Sequence, residues 1–271
     1  MRTSLQWRRV WLIVYSIVLL TGCGTLPDGR RWGQDATLTP GWQRLGHAAL
    51  EAALAPGTWV PAAGALVFQV GDSDSKLADW AADRTPLFGS QKGAARASDA
   101  LQDTARFAYG LTVLATPSGK QFEEWAKAKG AGLAVGAAAL GLTAGVTEAL
   151  KAGTHRTRPD ASDSLSFPSS HASHTAVLEM LTARNLASLS LPTGGHIALR
   201  IGLTTLTAGT AWARVEAHKH FPSDVLAGVA LGHFLGAFIN DAFLGLKRTR
   251  AGGFTIQPSR EGVMLGLYWP F

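Results

Sequence analysis

The chain carries a single cysteine, Cys23, in 271 residues, which excludes an intramolecular disulfide framework. Charge is scarce as well. Asp, Glu, Lys and Arg make up 16% of the residues against a hydrophobic share of 46%. The mean hydropathy of +0.11 lies between that of a soluble globule and a polytopic membrane protein. Nothing in the main body carries the compositional signature of disorder. No acidic residue precedes Asp28, whereas Arg2, Arg8 and Arg9 all do. Those three supply half of the net charge of +6, so loss of the N-terminus leaves about +3. That is too little to argue for a nucleic-acid partner from a pI of 9.8. No repeat of fixed period is present, and the length suits one core domain with extensions.

What is present begins with an apolar run, residues 10–20, behind the three arginines. It reads as the h-region of a secretory signal. Leu20-Thr21-Gly22-Cys23 follows directly and resembles a bacterial lipobox. The resemblance implies cleavage before Cys23, diacylation through its sulfur, and a mature N-terminus at that residue. The plainer alternative is an ordinary signal peptide or signal anchor with an incidental cysteine. Two or more acyl chains on one residue hold a protein stably on a membrane. Gly24 rather than Asp after the cysteine, by resemblance to enterobacterial sorting, favours the outer membrane and a periplasm-facing protein. The chain then divides into a signal peptide (1–22), the acylated cysteine with a Gly/Pro-rich polar tether (23–40), a helical extension (41–93), a core (94–246) and a tail (247–271).

Apolar residues at Trp42, Leu45, Ala48, Leu50 and Ala53 have helical spacing. A second apolar stretch runs from Trp59 to Val70, and a polar, broken segment continues to Asp99. Helices are predicted over 94–114, 122–152, 169–189, 197–217 and 223–246. In the second of these, residues 130–147 carry no charge, and Gly132, Gly136, Gly141 and Gly145 make two G-x-x-x-G spacings that allow another helix close. The uncharged stretch and the apolar helix after Asp224 suit either a bilayer span or the centre of an all-α globule. A lipobox favours the lipid-anchored globule. The tail from Phe254 to Tyr268 alternates apolar and polar residues around Pro258 and Glu261-Gly262, which predicts a β-hairpin.

Three stretches supply the parts of one phosphate site. Lys151 and Arg158 are two cations at the exit of the Gly-rich helix and in the loop after it. In Phe167-Pro168-Ser169-Ser170-His171, the proline favours a helix start and either serine can cap it. The amide groups of that first turn point at whatever anion sits in front, and His171 is presented to the same spot. Arg214 offers a planar fork matched to phosphate oxygens. Asp224, in the first turn after Pro222, can take the Nδ1 proton of His220 and leave Nε2 as a nucleophile. Singly, each stretch has a structural explanation: a capped helix, a dipole-facing lysine, a surface histidine. Their joint order and spacing do not.

K-x6-R-P, then P-S-x-H, then R-x5-H-x3-D resembles the pattern of the type 2 phosphatidic acid phosphatase superfamily, which includes bacterial acid phosphatases and vanadium haloperoxidases. The resemblance covers roughly residues 94–246. It implies an all-α helical bundle whose helix ends converge on one phosphate pocket, and hydrolysis with no metal and no cofactor. It implies His220 as the nucleophile forming a phosphohistidine, Asp224 as its orienting partner and His171 as general acid. Lys151, Arg158, Arg214, Ser169 and the amide of Ser170 would form the cradle for the phosphoryl oxygens. Two positions depart from the pattern. Ser170 stands where glycine is usual, and Ala213 precedes Arg214 where serine is usual, which puts substrate preference rather than chemistry in question. His155, His174 and His218 lie near the motifs, but the phosphate site explains the histidines better than a metal site does. The expected substrate is a phosphate monoester or diphosphate, of a lipid if Cys23 holds the protein at a membrane. A catalytically silent envelope lipoprotein and a vanadate-dependent haloperoxidase are the alternatives.

Overall fold

A computed structural model describes residues 22–26 and 28–245, and the backbone of 253–259 and 262–268. The apolar run at residues 10–20 and the expected signal peptide, except for residue 22, lie outside the described residues, as do residue 246 and, in the tail, 247–252, 260–261 and 269–271. The described chain is all-α apart from one hairpin. Its helices are α1 (Trp42–Leu54), α2 (Pro56–Phe68), α3 (Ser73–Arg84), α4 (Gln91–Ala115), α5 (Phe122–Thr154), α6 (Ser170–Leu186), α7 (Thr193–Glu216) and α8 (Pro222–Ile239), the last running on into one π-helical turn, Asn240–Leu244. The predicted hairpin is present as β1 (Gly253–Ser259) and β2 (Gly262–Tyr268), antiparallel with Gly253 opposite Tyr268.

The centre of the bundle is α6, packed against α8, α4, α7 and α5. Glycine decides which pair is closest. A Cβ on Gly232 of α8 would stand 2.1 Å from the Ser173 carbonyl oxygen, and one on Gly228 would stand 2.7 Å from that of Ser169. Gly228 meets the start of α6 and Gly236 meets Val177 and Met180 further along, so the two helices run parallel. Their N-termini therefore emerge side by side. The G-x-x-x-G spacings of α5, expected to admit another helix, do something different. Gly132 accommodates the ring of Trp32, Gly136 accommodates Tyr109 of α4, and Gly141 and Gly145 face open space.

The seam that α5 buries recurs every three or four residues: Ala128, Gly132, Val135, Gly136, Ala139, Thr143, Thr147 and Lys151. Both α5 and the stretch Pro222–Leu244 are long and apolar enough to cross a membrane by length and composition. Only 22% of the apolar window of α5 is buried, against 56% for the other, so α8 is a core helix while α5 shows much of its apolar length, including Leu133 and Leu142, at the surface.

Two expectations need correction. Residues 23–40 are not a loose tether. Gly24 and Gly119 exchange backbone hydrogen bonds of 3.2 and 2.8 Å, the Trp32 amide donates to the Pro117 carbonyl at 2.8 Å, and Trp32 is 1% exposed. A buried aromatic and these backbone hydrogen bonds dock a Gly/Pro-rich segment on the bundle. The inner face of α1 is built from Ala48 and Ala52, whereas Trp42 and Leu50 point outward, 89% and 57% exposed.

Candidate active site

The adjacent N-termini of α6 and α8 form one wall of the site, the end of α5 and its following loop a second, and the end of α7 a third. At α6, Ser169 occupies the cap position, but its side chain makes no cap hydrogen bond. Its Oγ is buried without a partner, while its amide donates to the Asp224 carbonyl at 3.1 Å. The expected serine cap is therefore not formed, which leaves the first-turn amides of α6 for another acceptor. Pro222 opens α8, and Asp224 caps it by accepting the Phe221 amide at 2.8 Å.

Three cations converge. Lys151, in the last turn of α5, is buried and lies 3.2 Å from Glu148. Arg158 donates through Nε to Asp163 at 2.6 Å and through Nη1 to the Lys219 carbonyl at 3.1 Å. Its Nη1 also lies 3.3 Å from His220 Nε2. Arg214 ends α7, with Nη1 3.4 Å from Ser98 Oγ and a buried Nε that has no partner. Burial and the nearby Arg158 push its pKa down to about 10. A guanidinium with an unmet donor facing other cations is arranged for an anion.

His220 is 2% exposed. Its Nδ1 donates to the Ser166 carbonyl at 2.7 Å, which fixes the tautomer and leaves the Nε2 lone pair beside Arg158. Burial first, then Arg214 and Arg158, hold its pKa well below the ordinary 6.5. It is thus a neutral imidazole, in the state a nucleophile requires. The expected direct pairing with Asp224 is not made: the two groups are 3.9 Å apart. Asp224 is fully buried and spent on other donors, Ser166 Oγ at 2.5 Å and Arg156 Nη1 at 2.7 Å besides the Phe221 amide. Burial raises its pKa.

His171, in the first turn of α6, donates through Nε2 to Asp99 of α4 at 2.8 Å. Burial and Arg214 lower its pKa, and Asp99 works against them. Ser170 Oγ points to Glu148 at 3.4 Å, so the hydroxyl that replaces the usual glycine is turned towards a carboxylate. Of the neighbouring histidines, His218 pairs with Asp79 at 3.1 Å and His155 ends α5 in a left-handed conformation.

The eight motif residues are thus brought together, and five further residues support them: Asp74, Asp99, Glu148, Arg156 and Ser166. Arg156 sits inside the K-x6-R-P spacer and had only its charge to mark it. Asp74 and Asp99 come from elements remote in sequence, and no spacing announces them.

Residues 132–246 match the model of the PAP2 superfamily. Two curated relatives, each a decaprenylphosphoryl-5-phosphoribose phosphatase from a strain of Mycobacterium tuberculosis, are 35% identical to this chain over 91 residues. The match takes in 34% of this chain and 45% of each relative, so the chain spans a little under half the length of the curated relatives it matches. No solved structure matches it.

Proposed function

We propose, from the match of residues 132–246 to the PAP2 superfamily model, that this chain is a phosphatase working through a phosphohistidine on a phosphate monoester or diphosphate. The observation that carries the reading is His220, held neutral with Nε2 turned towards Arg158 in a pocket of three cations. In this mechanism Nε2 attacks phosphorus while the bond to the leaving oxygen breaks, and His171 gives that oxygen its proton. Water then attacks the phosphohistidine, His171 takes a proton from it, and phosphate leaves as the lone pair returns to Nε2. Lys151, Arg158, Arg214 and the amides at the start of α6 carry the charge of the phosphoryl oxygens throughout. No step draws on a metal.

The substrate proposed is a lipid phosphate. The relatives are named for a polyprenyl-linked one, Cys23 is exposed at the surface, and its lipobox-like context supports acylation and attachment at the cell envelope. The test is an assay of purified protein against phosphatidate, an isoprenyl diphosphate and a soluble aryl phosphate, with EDTA present. Phosphate release that persists in EDTA and disappears in His220→Ala is the expected result. Full activity in His220→Ala sinks the mechanism. Attachment is tested by Cys23→Ser, which should free the protein from membranes.

A further inference from the structure

Beside the first turn of α8, sharing Asp224 with the site, lies a second cluster of charges. Arg156 donates through Nη1 to Asp224 Oδ1 and to Ser223 Oγ, each at 2.7 Å, and through Nη2 to Asp74 Oδ2 at 2.6 Å. Its guanidinium lies 4.2 Å from the centroid of the Phe221 ring. Asp74, on α3 and 7% exposed, also accepts the Ser223 amide at 2.8 Å and the Ser223 hydroxyl. One guanidinium thus serves two buried carboxylates and stacks on the residue just before the helix. Those contacts engage Phe221, Ser223 and Asp224 at the N-terminus of α8.

The cluster connects to His220 through a short chain of bonds. Arg156 holds Oδ1 of Asp224, and Oδ2 of Asp224 accepts Ser166 Oγ at 2.5 Å. The Ser166 carbonyl in turn accepts the hydrogen bond from His220 Nδ1–H. Without Arg156, two buried carboxylates close to one another lose their shared cation. One then protonates, and a protonated Asp224 has fewer acceptor sites for Ser166 and Phe221.

From this geometry we infer that Asp74 and Arg156 are positioning residues for His220, so that α3, outside the segment matched to the family, completes the active site. This inference rests on the phosphatase reading for its kinetic test. The region around α3 grips the same catalytic segment elsewhere. Asp79 pairs with His218 at 3.1 Å, Trp80 packs on Trp212 with centroids 6.3 Å apart, and the Phe88 amide donates to Glu216 at 2.8 Å. The segment that carries Arg214, His220 and Asp224 is therefore clasped from before Arg214 to Ser223.

The hydrogen bonds and ion pairs of Lys151, Arg158 and Arg214 go to Glu148, Asp163, the Lys219 carbonyl and Ser98 rather than to Arg156 or Asp74, which gives a test that plain destabilisation does not mimic. With an aryl phosphate as substrate, Arg156→Ala and Asp74→Asn should lower kcat about 10- to 100-fold, the size usual for partners that orient a reactive group. KM and the inhibition constant of inorganic phosphate should stay within about threefold, as expected for an interaction that does not touch the bound phosphate. A cavity of about 700 Å³, lined in part by Arg156, Thr154, Phe167 and Ser223, gives small solutes a route to the vacated position. Added methylguanidinium should therefore restore part of kcat in Arg156→Ala and none in His220→Ala. Unchanged kcat in a folded Asp74→Asn or Arg156→Ala overturns the inference, and so does a rise in KM that accounts for the whole loss. If the unaltered protein releases no phosphate, the phosphatase reading has failed instead. The positioning is then read by nitrogen NMR of His220, whose single Nδ1–H tautomer should give way to a mixture in both variants. Retention of the one tautomer in both overturns the inference independently of any activity.

Discussion

His220 donates its Nδ1 proton to the backbone carbonyl of Ser166, 2.7 Å away. A main-chain acceptor orients the ring, and Asp224 acts one bond further back by holding the Ser166 hydroxyl at 2.5 Å. The two acidic and imidazole groups that the motif pairs are 3.9 Å apart. Their functions should therefore separate on mutation.

Asp224→Asn keeps the shape of the carboxylate but accepts through only one oxygen, so at least one of Ser166, Phe221 and Arg156 loses its acceptor. The expected loss in kcat is about 10- to 100-fold, as for other outer-layer orienting groups. His220→Ala should remove turnover altogether. Steady-state kinetics of the two variants with one aryl phosphate decide the matter. A loss in Asp224→Asn as deep as that in His220→Ala points to direct contact with the imidazole.

The two histidines differ in what pH does to them. In the proposed mechanism His171 must be protonated to act as an acid, and burial and Arg214 depress its pKa below the ordinary 6.5. The basic limb of kcat/KM should thus fall on the acid side of 6.5. As the proposed nucleophile His220 must be unprotonated, and burial with Arg214 and Arg158 holds its pKa well below 6.5, so its limb lies further into acid. Asp99 raises His171 against that trend, from 2.8 Å. Asp99→Asn should accordingly move the basic limb to lower pH. A limb that stays put or moves upward contradicts the pairing.

The sequence made the helices and the motif residues legible because both are written locally. Pro168 and Pro222 precede helical runs, and a cation, a histidine and a carboxylate at set distances survive inspection without a fold. Distance in the chain hid the rest. Asp74 and Asp99 reach the site across 149 residues to Ser223 and 72 residues to His171, and an isolated aspartate on a polar helix looks like a solvated one. Glycine spacing was misread for a related reason: a missing Cβ shows that something can come close, but not what. On α5 the visitors are Trp32 and Tyr109, and the helix-to-helix contact belongs to Gly228, Gly232 and Gly236 of α8. The polar composition of residues 23–40 concealed Trp32, whose burial outweighs the composition of its neighbours.

Ser169 Oγ and Arg214 Nε are buried with no partner, a costly state that an oxyanion would relieve. Inorganic phosphate should raise the melting temperature. At about 100 times its dissociation constant the gain is about 2.7 kcal/mol, or roughly 5–10 °C for a chain of this size. Arg214→Ala should lose most of that shift, and Ser169→Ala a smaller part. An equal shift in Arg214→Ala, measured by thermal denaturation across a phosphate titration, would place the anion elsewhere.

Lys129 gives a pH signature unrelated to catalysis. Its Nζ donates to the carbonyls of Val113 at 2.6 Å and Thr116 at 2.5 Å, closing the end of α4, and sits 5.3 Å from the centroid of Trp32. It is 4% exposed, and burial pushes its pKa down to about 7 from 10.5. Between those values the unfolded chain holds a proton that the folded protein has released, so stability must rise with pH across that window. The slope is at most about 1.4 kcal/mol per pH unit, and the carbonyls and indole faces, which favour the charged amine, reduce it. Lys129→Met lacks the titrating group. The melting temperature of the unaltered protein minus that of Lys129→Met should therefore climb between pH 7 and pH 9. A constant difference over that range would mean that the amine keeps its proton, with the α4 carbonyls and Trp32 compensating its burial in full.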